Sequence, residues 1–227
     1  MTRRFECGRA RSGDASVEDP AAGAREAGVR DGTLVAGVDE AGRGSLAGPV
    51  VAAAVILPAD AALPGLADSK LLRPAVRARL ADAIREQAVA YAVAAADASE
   101  IDATNILRAT LRAMATAVSG LAPAPGLVLV DGNVVPRLPV PARAVIRGDR
   151  LVPVISAASI LAKVARDGMM DAWATRFPTY GFAQHKGYGT AAHRACIARH
   201  GPCPIHRRSF AGVREHDGAR DAQRSLW

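Results

Sequence analysis

The chain has 227 residues, 50% of them hydrophobic, which is enough for one substantial core with a small appendage and excludes a disordered chain. Its formal net charge is +7 with a pI near 10.0, and most of the cations are Arg. That balance favours a polyanionic partner, because guanidinium matches phosphate in bidentate geometry, although an Arg-rich chain is also what a GC-biased genome produces. The cysteines, Cys7, Cys196 and Cys203, form no CxxC pair and no zinc pattern, and no apolar run approaches a membrane span. The expectation is a reduced, cytoplasmic protein without a membrane partner.

Residues 1–32 are polar, rich in Arg, Gly, Asp and Ala, and without a period; Arg3, Arg4, Arg9 and Arg11 leave no room for the apolar core of a signal peptide. They are expected to be a disordered extension. The fold is expected to begin at 33, with a catalytic domain over 33–175, a helical region over 176–213 and a flexible tail over 214–227. Runs at 34–38 and 50–57 are short, apolar and rich in β-branched residues, and predict two paired strands joined by a glycine loop. Pro74 opens a helix to about Gln87, with Val76, Leu80 and Ile84 sharing one face. A third strand is predicted over 88–96.

A helix over 101–118, carrying Ile106, Leu107, Leu111 and Met114, is stopped by the Pro-rich 122–125. Strands follow over 127–130 and 142–146, the first running into Asp131-Gly132-Asn133 and the second into Gly148-Asp149. The next helix is expected over 156–172 with Ser156 as its N-cap. Strands and helices interleave, so the class is α/β with a mixed sheet. From about Phe177, Gly, His, Arg and Tyr replace the long Ala-Val runs, which suggests a small helical appendage.

The most informative segment is Gly37-Val38-Asp39-Glu40-Ala41-Gly42-Arg43-Gly44. Adjacent carboxylates leaving a buried strand are costly unless a cation holds them, and glycines let the backbone approach a phosphate or sugar closely. A dinucleotide loop is a poor match, since the spacing is G-x-G-x-x-x-G and a carboxylate pair would repel a pyrophosphate. A solvated turn remains the plain alternative for this segment alone. Asp131 and Asp149 also follow predicted strands, at the sheet end where α/β ligands gather. Hard oxygen donors of this kind suit Mg²⁺ or Mn²⁺ and argue against zinc. Two such ions can drive in-line phosphodiester hydrolysis.

With Asp68-Ser69-Lys70-Leu71, the run 156–167 from Ser156 to Asp167, Tyr180-Gly181-Phe182-Ala183-Gln184-His185-Lys186-Gly187-Tyr188-Gly189-Thr190 and His206-Arg207-Arg208-Ser209-Phe210, the set resembles bacterial ribonuclease HII, in order from about Leu34 to Val213. The resemblance implies a ribonuclease H-like fold with a mixed five-stranded sheet flanked by helices. It implies endonucleolytic hydrolysis of RNA in RNA–DNA hybrids, and incision 5′ of single ribonucleotides in duplex DNA, leaving 3′-hydroxyl and 5′-phosphate ends.

By similarity, Asp39, Glu40, Asp131 and Asp149 would hold two divalent ions, Mn²⁺ or Mg²⁺, with substrate bound. Gly42, Arg43 and Gly44 would sense the 2′-hydroxyl, the group that separates RNA from DNA. Tyr188 would stack on the sugar of the following deoxynucleotide. Asp149 is preferred to Asp167 as the fourth carboxylate, because Asp167 sits beside Arg166 near a helix end, where an ion-pair role suits it better. Lys70, His185, Lys186, Arg207 and Arg208 are assigned to substrate; for Lys70 a surface salt bridge, for His185 a structural hydrogen bond and for the two arginines a solvated tail are the duller readings. A monomer is expected, with a replication sliding clamp as the protein partner to test. A junction resolvase or transposase core and a silent hybrid-binding module compete with this reading. The glycine loop and Tyr188 weigh against the first, and the intact carboxylates against the second.

Overall fold

The computed structural model describes residues 32–66 and 72–217. The expected N-terminal extension, Lys70 and its Asp-Ser-Lys-Leu motif, and the end of the tail therefore lie outside the described residues.

Short apolar runs with no helical period can bury both faces only in the middle of a sheet, and that is where they lie. The five strands are β1 (Val35–Ala41), β2 (Val50–Ile56), β3 (Ala90–Ala96), β4 (Leu127–Asp131) and β5 (Ala142–Val145). Their order is β3-β2-β1-β4-β5. The first three form an antiparallel meander, while β4 and β5 run parallel to β1. Every residue of β2 is buried. The class and the mixed five-stranded sheet expected from the sequence are those observed.

Alternation along the strands divides the core in two. Ala36, Val38, Ala52 and Ala54 face α3 (Ile106–Ser119) through Ala109, Ala113, Met114 and Ala117. On the other face, Ala53 and Val55 meet α1 (Pro74–Gln87) and α5 (Pro153–Arg176) through Leu80, Ile84, Ile160 and Leu161. The start of α5 crosses β1 so closely that a Cβ on Gly37 would lie 2.3 Å from the Val154 carbonyl carbon. Gly37 thus sets the depth at which this long helix reaches the sheet.

Several boundaries differ from the sequence reading. Ala88 closes α1, its N–H bonding the Ile84 carbonyl, so β3 begins only at Ala90. The helix expected over 101–118 is two, α2 (Ala98–Ala103) and α3, because the Asp97 and Asn105 side chains each cap a new N-terminus, accepting from the Glu100 and Arg108 amides. Ser156 is not an N-cap. Pro153 occupies the first turn of α5, which Val152 caps without a side chain, and the Ser156 hydroxyl donates to the Asp149 carbonyl. Gly148–Leu151 forms a short helix, α4, that the sequence reading did not include.

Beyond α5, α6 (Phe182–His185) and α7 (Ala191–His200) form the expected helical appendage. Its apolar side clasps the β1–β2 loop: Ala47 packs with Met170, Tyr180, Phe182 and Ile205, and Leu46 with Ile197 and Val213. Bridges of Ser45 to Tyr188 and of Ala47 to His206 add backbone pairing.

Candidate active site

Parallel strands place their carboxyl ends on the same edge of a sheet, and here that edge is acidic. Val38 of β1 is in register with Val130 of β4, so Asp39 and Asp131 are the next residues out on neighbouring strands. Asp131 is paired with Val145 at the end of β5; the chain then turns through Arg147, which has φ 59°, and enters α4. That turn brings Asp149 back, and its amide donates to Asp131 Oδ1 at 3.2 Å.

Asp39 is only 3% exposed. Burial, then the neighbouring Glu40 and Asp131, push its carboxyl up to about 8, against hydrogen bonds from the Ser159 side chain and the Glu40 amide. A carboxyl raised chiefly by burial and further by two neighbouring carboxylates is one whose charged form a bound cation would stabilise. Among the described residues no three His, Cys, Asp or Glu side chains stand together as a ready-made metal cage. The carboxylates are an open cluster, and an all-oxygen donor set with this mutual repulsion fits a hard divalent ion.

Next to the acidic edge lies a cleft of about 370 Å³ lined by Glu40, Gly42, Arg43, Gly44, Arg77, Ser159, Lys163 and Tyr188. The space suits one nucleotide unit. Gly42 has φ +94°, and a Cβ there would lie 2.0 Å from Arg166 Nε; a Cβ on Gly44 would meet nothing within 4 Å. The first glycine is required by packing, whereas the second leaves the loop open on the cleft side. Arg43 reaches back to Glu40, Nη1 to Oε1 at 3.4 Å. Tyr188 is 38% exposed, its ring 5.4 Å from the Arg166 guanidinium carbon and 5.7 Å from Lys163 Nζ.

Arg77, Ser159 and Lys163 were not singled out from the sequence as site residues. The available signal was the spacing of Ser159, Lys163 and Asp167, which puts them on one face of a helix. Asp167 accepts from Lys163 at 2.7 Å and from Arg77 at 3.4 Å, so it is an ion-pair partner of these cations.

Other sequence assignments need correction. Arg207 is 0% exposed and donates to the carbonyls of Gly42, Arg43 and Gly48, so its guanidinium cannot meet a phosphate. Both ring nitrogens of His185 are engaged by main chain: Nε2 donates to the Tyr180 carbonyl and Nδ1 accepts from the Gly187 amide. This is the structural role and not cleft lining. Lys186 pairs with Asp171 and does not line the cleft. Arg208 is no such case: it is exposed and its guanidinium pairs with Asp217, outside the cleft lining.

Comparison with known proteins decides the family. A model of the ribonuclease HII family matches residues 36–213. The chain belongs to the ribonuclease HII family. It is a ribonuclease H, an endonuclease acting on RNA–DNA hybrids with divalent metal dependence. It is 62% identical over 180 residues to ribonuclease HII of Verminephrobacter eiseniae, covering 79% of this chain and 86% of that one. Among solved structures it is similar to ribonuclease H2 of Pyrococcus horikoshii, with a TM-score of 0.70 and 25% identity over 82% of this chain and 97% of that one. It is also similar to RNase HII of Archaeoglobus fulgidus, solved as a PCNA:RNase HII complex, with a TM-score of 0.67 and 26% identity over 78% of this chain and 95% of that one.

Proposed function

We propose that this ribonuclease HII incises 5′ of single ribonucleotides embedded in duplex DNA, as well as cutting the RNA strand of hybrids, with Asp39, Glu40, Asp131 and Asp149 as its metal-binding carboxylates. The observation that carries the reading is a nucleotide-sized cleft lined by Glu40, the glycine loop and Tyr188, beside the acidic edge where the Asp149 amide meets Asp131. When bound, two divalent ions, Mn²⁺ or Mg²⁺, would supply an activated water and stabilise the leaving oxygen.

The protein's own groups do the rest. Ser159 holds the Asp39 carboxylate. Lys163 and Arg77, both lining the cleft, receive the phosphate backbone. Loop peptides at Gly42, Arg43 and Gly44 test for the 2′-hydroxyl, and Tyr188 stacks on the deoxyribose that follows, where continued RNA would present another hydroxyl. In-line displacement then leaves a 3′-hydroxyl and a 5′-phosphate. Residues 33–175 serve as the catalytic domain and 176–213 as the substrate-binding region. The enzyme works as a cytoplasmic monomer. A replication sliding clamp is its proposed protein partner, supported by the PCNA complex of the archaeal relative.

The test is cleavage of three end-labelled duplexes: all-DNA, one embedded ribonucleotide, and continuous hybrid, with Mn²⁺ or Mg²⁺ and with EDTA. Metal-dependent cutting 5′ of the single ribonucleotide, with all-DNA intact, is expected. Cutting of hybrid alone would reject junction recognition.

A further inference from the structure

Two guanidinium groups lie behind the glycine loop, both 0% exposed, and neither forms an ion pair with a carboxylate among the described residues. Arg207 donates from Nε to the Gly48 carbonyl at 3.0 Å, from Nη1 to Arg43 at 2.8 Å and from Nη2 to Gly42 at 2.7 Å. Arg166 donates from Nε to Pro49 at 2.9 Å, from Nη1 to Lys186 at 2.9 Å and from Nη2 to Ala47 at 3.1 Å. Burial, and then the proximity of Arg166, pulls Arg207 down to about 9, which leaves it charged at neutral pH.

Burying a cation without a counter-ion is expensive, and here main-chain carbonyls offset it, helped by the Phe210 ring 5.1 Å from the Arg207 guanidinium carbon and the Tyr188 ring 5.4 Å from that of Arg166. What a planar guanidinium adds over a neutral brace is a rigid fork that orients several peptide planes at once. A trans peptide points its N–H opposite to its C=O. With the Gly42 and Arg43 carbonyls drawn in to Arg207, the amides of Arg43 and Gly44 face the other way, and both residues line the cleft. Ser45 breaks the series, its amide turning back to the Gly42 carbonyl at 3.3 Å. Arg166 ties the far end of the same loop to Lys186, two residues before Tyr188, and sits beneath that ring.

We infer that Arg207 is a positioning residue for sugar selection: it aims the Arg43 and Gly44 amides at the ribose, while Arg166 sets the spacing between that donor pair and Tyr188. The inference rests on the reading of the cleft as a ribonucleotide site. Its specific content is that recognition of the 2′-hydroxyl is lost when Arg207 is changed, although Arg207 touches no substrate.

The test measures KM for a duplex with one embedded ribonucleotide and Ki for the all-DNA duplex of the same sequence as competitive inhibitor. If the wild-type enzyme does not cut the first duplex, the site reading fails and not this inference. In Arg207→Lys, which keeps the charge but not the fork, KM should rise about tenfold toward Ki while Ki moves less than about twofold. An unchanged ratio of KM to Ki, or a parallel rise of both, would overturn the inference, the second because general weakening of the fold affects both ligands alike. Should Arg207→Lys fail to fold, amide hydrogen exchange decides the matter in the cleavage-blocked Asp131→Asn enzyme. The Arg43 and Gly44 amides should be protected by the ribonucleotide duplex and not by all-DNA. Equal protection by both sinks the inference.

Discussion

The Nε2 atoms of His193 and His206 lie 3.0 Å apart in the buried floor beneath the Tyr188 turn, so one ring must donate and the other accept. His206 Nδ1 accepts from the Cys203 amide at 2.9 Å, which puts its proton on Nε2; His193 must then carry its proton on Nδ1, donated to the Tyr188 carbonyl at 2.9 Å. Both rings are neutral. Burial, the largest cause, pulls each of them down to about 4 from the usual 6.5. Between those values the unfolded chain binds protons that the folded chain does not, so stability falls as pH drops from about 6.5 and the contribution is gone below about 4. Thermal melts from pH 7 to 4.5 should show this decline, and His206→Gln should make it shallower. A slope untouched by that substitution would remove the pair as its source.

Asp39 acts with the opposite sign. Its folded value of about 8 lies above the ordinary 3.8, so the stability present at low pH is lost as pH rises toward and through about 8 in the metal-free enzyme. Together with the histidines, this predicts greatest metal-free stability near pH 6.5. Metal capture below pH 8 should release about one proton, because the ion binds the carboxylate form. Calorimetry of Mn²⁺ binding at pH 6.5 in buffers of different ionisation enthalpy measures that number, and Asp39→Asn should bring it close to zero.

Asp131→Asn should abolish most activity while leaving the fold intact. The retained amide oxygen can still accept from the Asp149 amide, so the turn into α4 survives, but the charge that helps to hold metal is lost. Several orders of magnitude in rate are expected, each corresponding to about 1.4 kcal/mol of barrier. Single-turnover cleavage beside circular dichroism checks both halves, and near-normal cleavage would take Asp131 out of the site.

Tyr188→Ala should cost about 1–3 kcal/mol in transition-state binding on a single embedded ribonucleotide, the range for ring stacking on nucleic acid. Tyr188→Phe should keep most of the activity. The main chain at this position is held by His193 and Thr190 through the Tyr188 carbonyl, so trimming the ring leaves the turn in place. Equal losses in both variants would assign the role to the hydroxyl.

Lys163→Ala removes a cation that lines the cleft and leaves Asp167 to Arg77. Affinity for hybrid should fall, and its logarithm plotted against log salt should flatten by about one unit, as for one lost phosphate contact. An unchanged slope would mean that Lys163 serves Asp167 alone.

Local pattern carried much of this protein into view. Apolar runs broken by Gly and Asp marked β1, β4 and β5, and the same punctuation placed Asp131 at the end of β4 and Asp149 beyond β5, because strand period and turn chemistry are properties of a few neighbouring residues; Asp39 and Glu40, expected to follow β1, are still inside it, since pairing with β2 carries the strand on to Ala41. The helix break at Thr104-Asn105 was overlooked, since an apolar period outweighed one capping side chain. What only the tertiary structure decided is which cations face water. Arg207 sits in a basic run that reads as surface, yet it reaches Gly42, 165 positions away in the chain, and is buried because loop carbonyls surround it. Lys163 and Arg77 enter the cleft, and His193 meets His206, by the same kind of long-range closure. Periodicity tells which face of an element is apolar; it does not tell which polar group a distant loop will cover, because that depends on hydrogen-bond partners that exist only after the chain has folded.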